Sequence, residues 1–280
     1  MFGGGMHTAL EKDIMQLRSY LAQSVAKGES GIDNVRPRPD VTALMYFFWD
    51  KGKAYDRWPE FKGALLETWR HCGMLKTVIV SNVFHHCLEL TTRQFPNVEI
   101  QVEPRLVPGD INTMSIDCNS ELCSRFNTNY VLTIQDDGFP LRPGLDEFVE
   151  MDYDFIGAPY CRPSFLPNLL TRAFRYCPSN GGFSLRSRRF CSLVAEYWRR
   201  EYVNRPFIVN EMSEDLFCTM TLPRHHLLFW MRRRQSPSGV AARFSHELFS
   251  MRHSDAVPFG FHTATAFGEL NRKFGLNAGV

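Results

Sequence analysis

The chain has 280 residues, of which 44% are hydrophobic and 22% are charged, and its formal net charge is +2. This composition is ordinary for a globular protein, and the length allows one large α/β domain or two small ones. The sequence has no run of eighteen apolar residues and does not start with a basic segment followed by an apolar one. We therefore expect no membrane span and no signal peptide, and we predict a cytoplasmic location. Eight cysteines without a Cys-x-x-Cys pair fit neither a zinc ribbon nor a disulfide framework, so reduced thiols are expected.

The first 40 residues predict a helix followed by a linker. Apolar residues between positions 8 and 26 recur at helical spacing, and two prolines, Pro37 and Pro39, close the stretch that follows. We interpret 1–40 as an appended helix and linker that packs on the body of the protein or on a second subunit. The second possibility would make the protein a homo-oligomer through this helix.

From Val41 the chain alternates strand-like and helix-like segments without long gaps. This order favours an α/β fold with a mixed, mostly parallel, Rossmann-like sheet that carries helices on both faces. We expect residues 41–280 to form a single domain. Its predicted strands are 41–49, 77–80, 98–102 and 130–134. Helices are predicted at 58–71 and 111–126, and a third helix is predicted to begin at the cap Ser81-Asn82 and to end at about Gln94.

The pattern changes after the fourth predicted strand. Short strands are expected at 155–159 and 182–185, a helix at 188–201, and a further helix that opens at Ser213 as its N-cap. We interpret 41–137 as a nucleotide-binding half and 138–280 as a half that binds a second ligand.

Two adjacent carboxylates, Asp136 and Asp137, follow the apolar run 131–134 and precede Gly138. Ligands of open α/β sheets bind at the carboxyl ends of the strands. Two acids there are costly to desolvate without a positive partner, and a divalent cation that carries a diphosphate is a common one. The alternative is a strand followed by a simple Asp-Gly turn.

Five short segments in this order resemble a DUF5672-like family of predicted glycosyltransferases from bacteria, phages and fungi that is related to the GT-A fold. The resemblance covers about 130–262. The segments are Gln135-Asp136-Asp137, Tyr153–Pro159 ending in Ile-Gly-Ala-Pro, Asn180–Arg186 reading Asn-Gly-Gly-Phe-Ser-Leu-Arg, Glu214-Asp215, and Phe259–His262 reading Phe-Gly-Phe-His.

The resemblance implies a GT-A-like fold and a metal-dependent glycosyltransferase that moves a sugar from a nucleotide-sugar donor to a hydroxyl on a glycan or another molecule. It implies Mn²⁺ or Mg²⁺ as cofactor, with Asp137 as the main metal ligand and Asp136 in support. His262 would be a further ligand, and imidazole favours Mn²⁺. The first position of the triplet is Gln135, which leaves this site short of negative charge. The alternative for His262 is an ordinary partly buried histidine.

The same resemblance places the donor or acceptor beside Asn180, Gly181 and Gly182, where paired glycines let a ligand approach the backbone closely and can adopt positive φ. The alternative is a tight turn without a ligand. With less support, we expect the nucleotide base and ribose near two residues that follow the first two predicted strands, Trp49 and Ser81.

Glu214 and Asp215 open a predicted helix, and an acid of this motif acts as general base in inverting GT-A enzymes. The resemblance therefore implies an inverting reaction with Asp215 as the base and Glu214 as the second candidate. Acids in the first turn also stabilise a helix through its dipole, without any catalysis. Arg186 is expected either to hold Glu214 or a phosphate, or to lie exposed.

Other functions stay open. From Arg162 to Arg234 the sequence contains thirteen arginines, no lysines and five acids, so the acceptor could be a hydroxymethylated base in DNA or the stretch could be a solvated surface. A phosphatase of the haloacid dehalogenase type needs a nucleophilic aspartate where this chain has Gln135. A third reading is a sugar-nucleotide-binding module without turnover.

Overall fold

The computed structural model describes residues 4–48, 54–159, 179–201, 213–221, 235–236, 238–247 and 255–276. The first half alternates strands and helices, as its hydrophobic pattern predicts. Its elements are α1 (Gly4–Lys27), a 3₁₀ turn (Ile32–Asn34), β1 (Val41–Phe47), α2 (Ala54–Cys72), β2 (Lys76–Ser81), α3 (His86–Gln94), β3 (Val98–Val102), α4 (Ile111–Ser120), α5 (Leu122–Arg125) and β4 (Tyr130–Ile134).

The second half contains shorter elements around two longer helices. They are α6 (Leu145–Glu150), β5 (Phe155–Pro159), β6 (Ser179–Ser187), α7 (Arg188–Glu201), α8 (Glu214–Leu216) continued by a π-helical turn (Phe217–Thr221), α9 (Ser238–Phe244), β7 (Ser245–His246), β8 (Gly260–Phe261) and α10 (Ala264–Phe274).

Six strands form one sheet in the order β3-β2-β1-β4-β6-β5. Strands β1 to β4 are parallel to one another, whereas β6 runs antiparallel to both β4 and β5. A separate pair joins β7 and β8 in parallel. The predicted α/β fold class, with a mixed and mostly parallel sheet, is confirmed. The parallel strands bring the ends of β1, β2 and β4 to the same edge.

Helices cover both faces of the sheet, and β1 explains why. All seven of its residues are buried, because alternate side chains enter different cores. Ala43 and Met45 belong to the core that contains residues of α1, α2 and α10. Leu44 and Tyr46 belong to the core that contains residues of α4 and α5.

Helix α1 packs on α2 and α10 of the same chain. Leu17 and Leu21 are buried, and Tyr20 donates a hydrogen bond to Glu67 (2.9 Å). Gly63 on α2 permits this close approach, since a Cβ there would lie 2.8 Å from the carbonyl oxygen of Leu21. The observed contact is with the body of the protein; a homo-oligomer through α1 and the domain division at residue 40 stay predictions.

Several predicted element boundaries are wrong. The helix predicted over 111–126 is two helices, because the backbone of Glu121 leaves the helical region (φ −121°). Helix α3 is capped by His85, whose ring accepts from Cys87 N (3.2 Å), and not by Ser81-Asn82. Ser213 does precede α8, but its side chain makes no capping hydrogen bond.

None of the helices in the described part of the chain is long and apolar enough to cross a membrane.

Six cysteines in the described part are free thiols: Cys72, Cys87, Cys118, Cys123, Cys191 and Cys218.

Candidate functional site

Asp136 and Asp137 follow β4 after one intervening residue, Gln135, and form the tip of a tight reversal. Gln135 N donates to the Gly138 carbonyl (2.8 Å) and Gly138 N donates to the Gln135 carbonyl (3.1 Å). The carbonyl of Asp137 accepts from Thr263 N (2.8 Å), which ties this reversal to the start of α10. The main chain therefore fixes Asp136 and Asp137 at the carboxyl edge of the sheet, where the sequence predicts a ligand.

Asp136 and Asp137 differ in their surroundings. The carboxylate of Asp136 is 13% exposed and forms an ion pair with Arg57 of α2, whereas that of Asp137 is 40% exposed. Burial and the neighbouring Asp137 charge raise the pKa of Asp136 to about 6, against the opposing effect of Arg57. Asp136 is thus held by a cation of the protein itself, and Asp137 is the acid more open to solvent.

His262 lies beside Asp137. Its Nε2 is 3.2 Å from Gln135 Oε1 and 4.0 Å from Asp137 Oδ1, and its side chain is only 12% exposed. The backbone holds it firmly, since His262 N donates to the His246 carbonyl (2.7 Å). Thr263, the next residue, has a positive φ of 85° and caps α10 through its hydroxyl. Gln135, where the family pattern would favour more charge, faces the histidine.

The other ring nitrogen of His262 faces Glu247. Its Nδ1 lies 3.8 Å from Glu247 Oε1, within ion-pair range but too far for a hydrogen bond. Burial disfavours the charged ring, but Glu247 together with the charges of Asp137 and Asp215 outweighs it, so the pKa of His262 is raised above its usual value. The imidazole therefore lies between carboxylates on two sides.

The paired glycines lie inside β6 and not in a turn before it. Neither Gly181 nor Gly182 has a positive φ, so the expectation of a special backbone conformation is wrong. Close packing requires them instead. A Cβ on Gly182 would lie 2.6 Å from Gln135 Oε1 and closer still to His262 Nε2. Only a residue without a side chain lets these groups meet over the strand.

Gly181 makes the equivalent close approach on the other side. A Cβ there would lie 2.6 Å from Glu214 Oε1, closer still to Arg186 Nη2, and 3.3 Å from Asp215 Cβ. The predicted acids of α8 and His262, one of the predicted metal ligands, therefore flank one two-residue segment. Residues of four of the five sequence motifs meet at this segment.

The side chain of Asn180 is engaged within this segment. Its Oδ1 accepts from Gly182 N (2.7 Å) and its Nδ2 donates to Glu247 Oε1 (3.2 Å). The amide thereby shapes the backbone around Gly182 and anchors Glu247.

Glu214 belongs to a buried ionic network. Its Oε1 is 3.7 Å from Arg186 Nη2, and its Oε2 accepts from Ser115 Oγ of α4 (3.3 Å). Burial and the neighbouring Asp215 charge raise the pKa of Glu214, although Arg186 opposes them. Arg186 is buried; it donates to the Gly181 carbonyl (3.1 Å) and its guanidinium lies over the Phe155 ring. Arg186 therefore holds Glu214, one of the two roles expected for it, and is not exposed.

Asp215 is also buried, at the start of α8. Its Oδ1 accepts from Ser213 Oγ and from Leu216 N (2.7 Å). Its charge contributes to the raised pKa of His262, which places it within electrostatic reach of the predicted metal ligands.

Ser81 and Trp49, which we expect near the nucleotide of the donor, are not among the described residues gathered around the Gly-Gly segment. Ser81 ends β2, is fully buried, and is separated from β4 by β1 in the sheet. Its hydroxyl makes no hydrogen bond among the described residues. Trp49 lies outside the described residues, so the prediction for the nucleotide base is untested.

Asp137 and His262 lie just within the largest separation that two ligands of one metal ion can have, so such an ion would take its other ligands from elsewhere. The described residues contain no group of three histidine, cysteine or carboxylate side chains placed to hold an ion. Asp137 Oδ1 and His262 Nε2 are 4.0 Å apart, and two ligands of one ion at about 2.1 Å each can be no more than about 4.2 Å apart. Ions at phosphate sites commonly take one or two protein ligands and complete their coordination with phosphate and water.

The sequence did not identify three residues of the site: Arg57, Ser115 and Glu247. Arg57 and Ser115 lie on helices distant in sequence, and no spacing relates them to the motifs. Glu247 follows a strand of only two residues, too short to give a periodic signal. Only the tertiary structure places them here.

Two solved structures resemble part of this chain. Core-mannan synthase A from Aspergillus fumigatus, in a Mn/GDP form, has 9% identity and a TM-score of 0.46 over 66% of this chain and 70% of that one. Mannosyltransferase PcManGT from Pyrobaculum calidifontis, in complex with GDP-Man and Mn²⁺, has 14% identity and a TM-score of 0.37 over 64% of this chain and 58% of that one. Both scores lie below 0.5, so a functional assignment has to come from the chain's own residues. No curated protein matches the sequence.

A protein-family model described as "Protein of unknown function (DUF5672)" matches residues 104–262. The matched range contains the acid pair, the paired glycines, the acids of α8 and His262. Because it spans more than half of the 280 residues, the chain belongs to the DUF5672 family of proteins of unknown function.

Proposed function

We propose that the protein is a metal-dependent glycosyltransferase that moves a sugar from a nucleotide-sugar donor to a hydroxyl acceptor. One observation carries the proposal: His262, which lies 4.0 Å from Asp137, and two buried acids flank the same Gly-Gly segment at the carboxyl edge of the sheet. Asp137 and His262 are suited to bind a cation that carries a diphosphate, and the buried acids are suited to accept a proton. Residues 41–137 would supply the nucleotide-binding half and residues 138–280 the acceptor half.

Asp137 and His262 are the proposed ligands of Mn²⁺ or Mg²⁺, with Mn²⁺ favoured by the imidazole. A divalent ion held there would neutralise negative charge on the departing nucleoside diphosphate. Asp136 is proposed to support this site. Its ion pair with Arg57 leaves one guanidinium, half exposed, next to the place where a phosphate would bind.

Asp215 is the proposed general base for the acceptor hydroxyl in an inverting reaction. A carboxylate can fill this role if it lies within hydrogen-bond reach of the nucleophile. Glu214 is less suited, because Arg186 and Ser115 contact its two oxygens. We therefore assign Glu214 to the support of the segment that carries Asp215.

The DNA-acceptor alternative gains no support from the described arginines closest to the site. Arg186 is buried against Glu214, and Arg189 forms an ion pair with Asp154 (2.5 Å). Other arginines of the stretch lie outside the described residues. An electrophoretic shift of duplex DNA at low salt, lost at moderate salt, would favour this alternative, whereas no shift at low salt would exclude it.

A thermal-shift panel tests the proposal. Nucleoside diphosphates and nucleotide-sugars are added with and without Mn²⁺, since a ligand that binds only the folded state raises Tm. We expect at least one of them to raise Tm only when Mn²⁺ is present. Asp137→Asn should remove this dependence, and Asp33→Asn, an exposed acid far from the site in sequence, should retain it. Full metal dependence in Asp137→Asn would overturn the metal assignment.

Donor hydrolysis separates the enzyme from a binding module. The ligand found in the panel is incubated with the protein, and release of free nucleoside diphosphate is followed. Asp215→Asn should bind the donor with unchanged affinity and lose about 10²- to 10⁴-fold in rate. A wild-type protein that binds the donor but releases no product with any hydroxyl acceptor tested would support the binding module instead.

A further inference from the structure

We infer that Arg57 binds a phosphate of the nucleotide-sugar donor, and that Asp136 is a positioning residue for the Arg57 guanidinium and not a metal ligand. The inference rests on the proposed function, since it concerns the donor assigned there to this edge of the sheet. Arg57 lies outside all five sequence motifs, so the inference adds a binding residue that the family pattern does not contain.

The sheet places Arg57 beside the acid pair. Strands β1 and β4 are parallel neighbours, and Met45 lies opposite Ile134 near their carboxyl ends. Arg57 lies on α2, the helix that follows β1, whereas Asp136 follows β4. A guanidinium from the first half of the chain therefore contacts an acid that is 79 positions away in the sequence.

Three contacts fix the position of the guanidinium. Its Nη2 donates to Asp136 Oδ2, its Nε lies 3.9 Å from Glu60 Oε2, and its Cζ lies 5.4 Å from the centre of the Phe61 ring. Phe61 is buried and packs edge-on against Phe47 of β1, with 4.9 Å between the ring centres. The guanidinium is thus supported by the core through an aromatic ring and joined to the acid pair through one nitrogen.

The same guanidinium keeps most of its capacity to bind a ligand. An arginine has five N–H donors in a planar fork that matches the oxygens of a phosphate, and the hydrogen bond to Asp136 uses one of its three nitrogens. The Arg57 side chain is 52% exposed, so a ligand can reach the remaining donors. Arg186 differs, since its side chain is buried and donates to the Gly181 carbonyl.

The neighbouring charges favour an anion once a divalent ion is bound. Glu60 is shared with Arg18 of α1, whose Nε lies 2.8 Å from Glu60 Oε1, so it does not compensate Arg57 alone. Asp136 compensates Arg57, and a divalent ion on Asp137 would bring one charge more than that acid neutralises. The edge would then be net positive, with a fixed guanidinium available to a phosphate.

Diphosphate binding by variants of Arg57 tests the inference. GDP, UDP, ADP and inorganic pyrophosphate are titrated with and without Mn²⁺ into the wild type, Arg57→Gln, Arg57→Lys and Arg93→Gln, and binding is measured by calorimetry. Arg93 is an exposed arginine of α3 that pairs with Glu89 (2.6 Å) and serves as the matched control. We expect Arg57→Gln to weaken the tightest diphosphate about 10- to 100-fold, Arg57→Lys to weaken it less, and Arg93→Gln to match the wild type.

Mn²⁺ alone separates binding of the phosphate from binding of the metal. Free Mn²⁺ is measured by electron paramagnetic resonance in the same proteins without a diphosphate. We expect Arg57→Gln to bind Mn²⁺ at least as tightly as the wild type, because the substitution removes a positive charge next to the acid pair. A loss of Mn²⁺ affinity as large as the loss of diphosphate affinity would overturn the inference, and so would an unchanged diphosphate affinity.

A double-mutant cycle tests the positioning role of Asp136. If Asp136 acts through Arg57, Asp136→Asn should weaken diphosphate binding in the wild type and have little further effect in Arg57→Gln. Asp136→Asn should also lower Mn²⁺ affinity far less than Asp137→Asn does. Additive losses of diphosphate affinity, or equal losses of Mn²⁺ affinity in the two aspartate variants, would overturn the role of Asp136.

Failure of the inference and failure of the proposed function give different results. If a nucleoside diphosphate binds the wild type only with Mn²⁺ and binds Arg57→Gln as tightly, the proposed function stands and the inference fails. If inorganic pyrophosphate binds through Arg57 but none of the nucleoside diphosphates binds, the phosphate site stands and the nucleotide-sugar proposal fails. If no diphosphate binds the wild type, both are overturned.

Discussion

The two sides of the Gly181-Gly182 segment are built on different electrostatic principles. On one side, Arg186 and Glu214 are buried together, and a cation of the protein compensates the acid. On the other side, Asp137 is 40% exposed, and its closest basic neighbour in the described part of the chain is a histidine 4.0 Å away. The first side is a preassembled ion pair in the core, whereas the second leaves a carboxylate available to a ligand.

The difference separates a structural role from a binding role within one cluster of acids. A buried acid that already has a guanidinium partner gains little from a further cation, and breaking that pair is costly to stability. A half-exposed acid next to an imidazole contributes little to stability and can bind an ion. Mutations on the two sides should therefore change different measured quantities.

The largest expected effect on stability comes from Arg186→Met. It leaves Glu214 buried without its compensating charge, and the unfolding free energy should fall by about 3–5 kcal/mol. Because the pKa of Glu214 is already raised in the folded protein, the loss should shrink as the pH is lowered and Glu214 takes up a proton. Denaturant unfolding at several pH values measures this. If Arg186→Met/Glu214→Gln recovers none of the loss, the ion pair is not its cause.

Substitution of each of the two glycines by alanine should disturb the packing on one side of the segment and leave the other side intact. Gly182→Ala places a Cβ against Gln135 and His262, and Gly181→Ala places one against Glu214 and Arg186. Each should lower the unfolding free energy by about 1–3 kcal/mol through overpacking. Only Gly182→Ala should weaken Mn²⁺ binding, measured by calorimetry. Equal loss of Mn²⁺ affinity in both variants would show that the two sides are one rigid unit.

The pH dependence of Mn²⁺ binding sharpens the description of the exposed side. The pKa of His262 is raised by Glu247, Asp137 and Asp215 despite its burial, and protons compete with metal for the ring. Mn²⁺ affinity should therefore fall as the pH drops from about 8 to about 6. The stability of the metal-free protein should have the opposite pH dependence. A raised histidine pKa stabilises the folded state fully below the pKa of the unfolded state, and this stabilisation is lost as the pH rises through the pKa of the folded state. A pH-independent Mn²⁺ affinity would exclude His262 as a ligand.

The smallest expected effect on stability is that of Arg57→Ala. Its guanidinium is 52% exposed, and exposed pairs contribute less than about 1 kcal/mol. The pKa of Asp136 should rise further when the opposing charge is removed. Carboxyl resonances followed by NMR titration measure this shift; an unchanged pKa would show that Arg57 does not hold Asp136 in solution.

The sequence predicted the elements that carry a strong periodic signal. The strands 98–102, 130–134 and 155–159 and the helix 188–201 have the predicted bounds, because each is set by its own apolar pattern. Asp137 and His262, which the resemblance implies as ligands of one ion, lie 4.0 Å apart. The role of the paired glycines was missed, since their close contacts, apart from Arg186, come from residues 33 to 80 positions away in the chain.

The predictions failed where local signals compete or are absent. Glu121 interrupts a helix that the apolar spacing alone would continue through residue 126. His85, rather than a serine or an asparagine, caps α3 through a ring nitrogen. The acid behind His262 follows a two-residue strand whose pairing is decided by tertiary contacts.

A crystal structure with Mn²⁺ and the nucleoside diphosphate found by thermal shift tests the central claim most directly. The anomalous signal of manganese locates the ion without assumptions about its ligands. We expect one peak about 2.1 Å from both Asp137 Oδ1 and His262 Nε2, with the diphosphate completing its coordination. A nucleotide bound at this edge with manganese elsewhere, or with none, would contradict it.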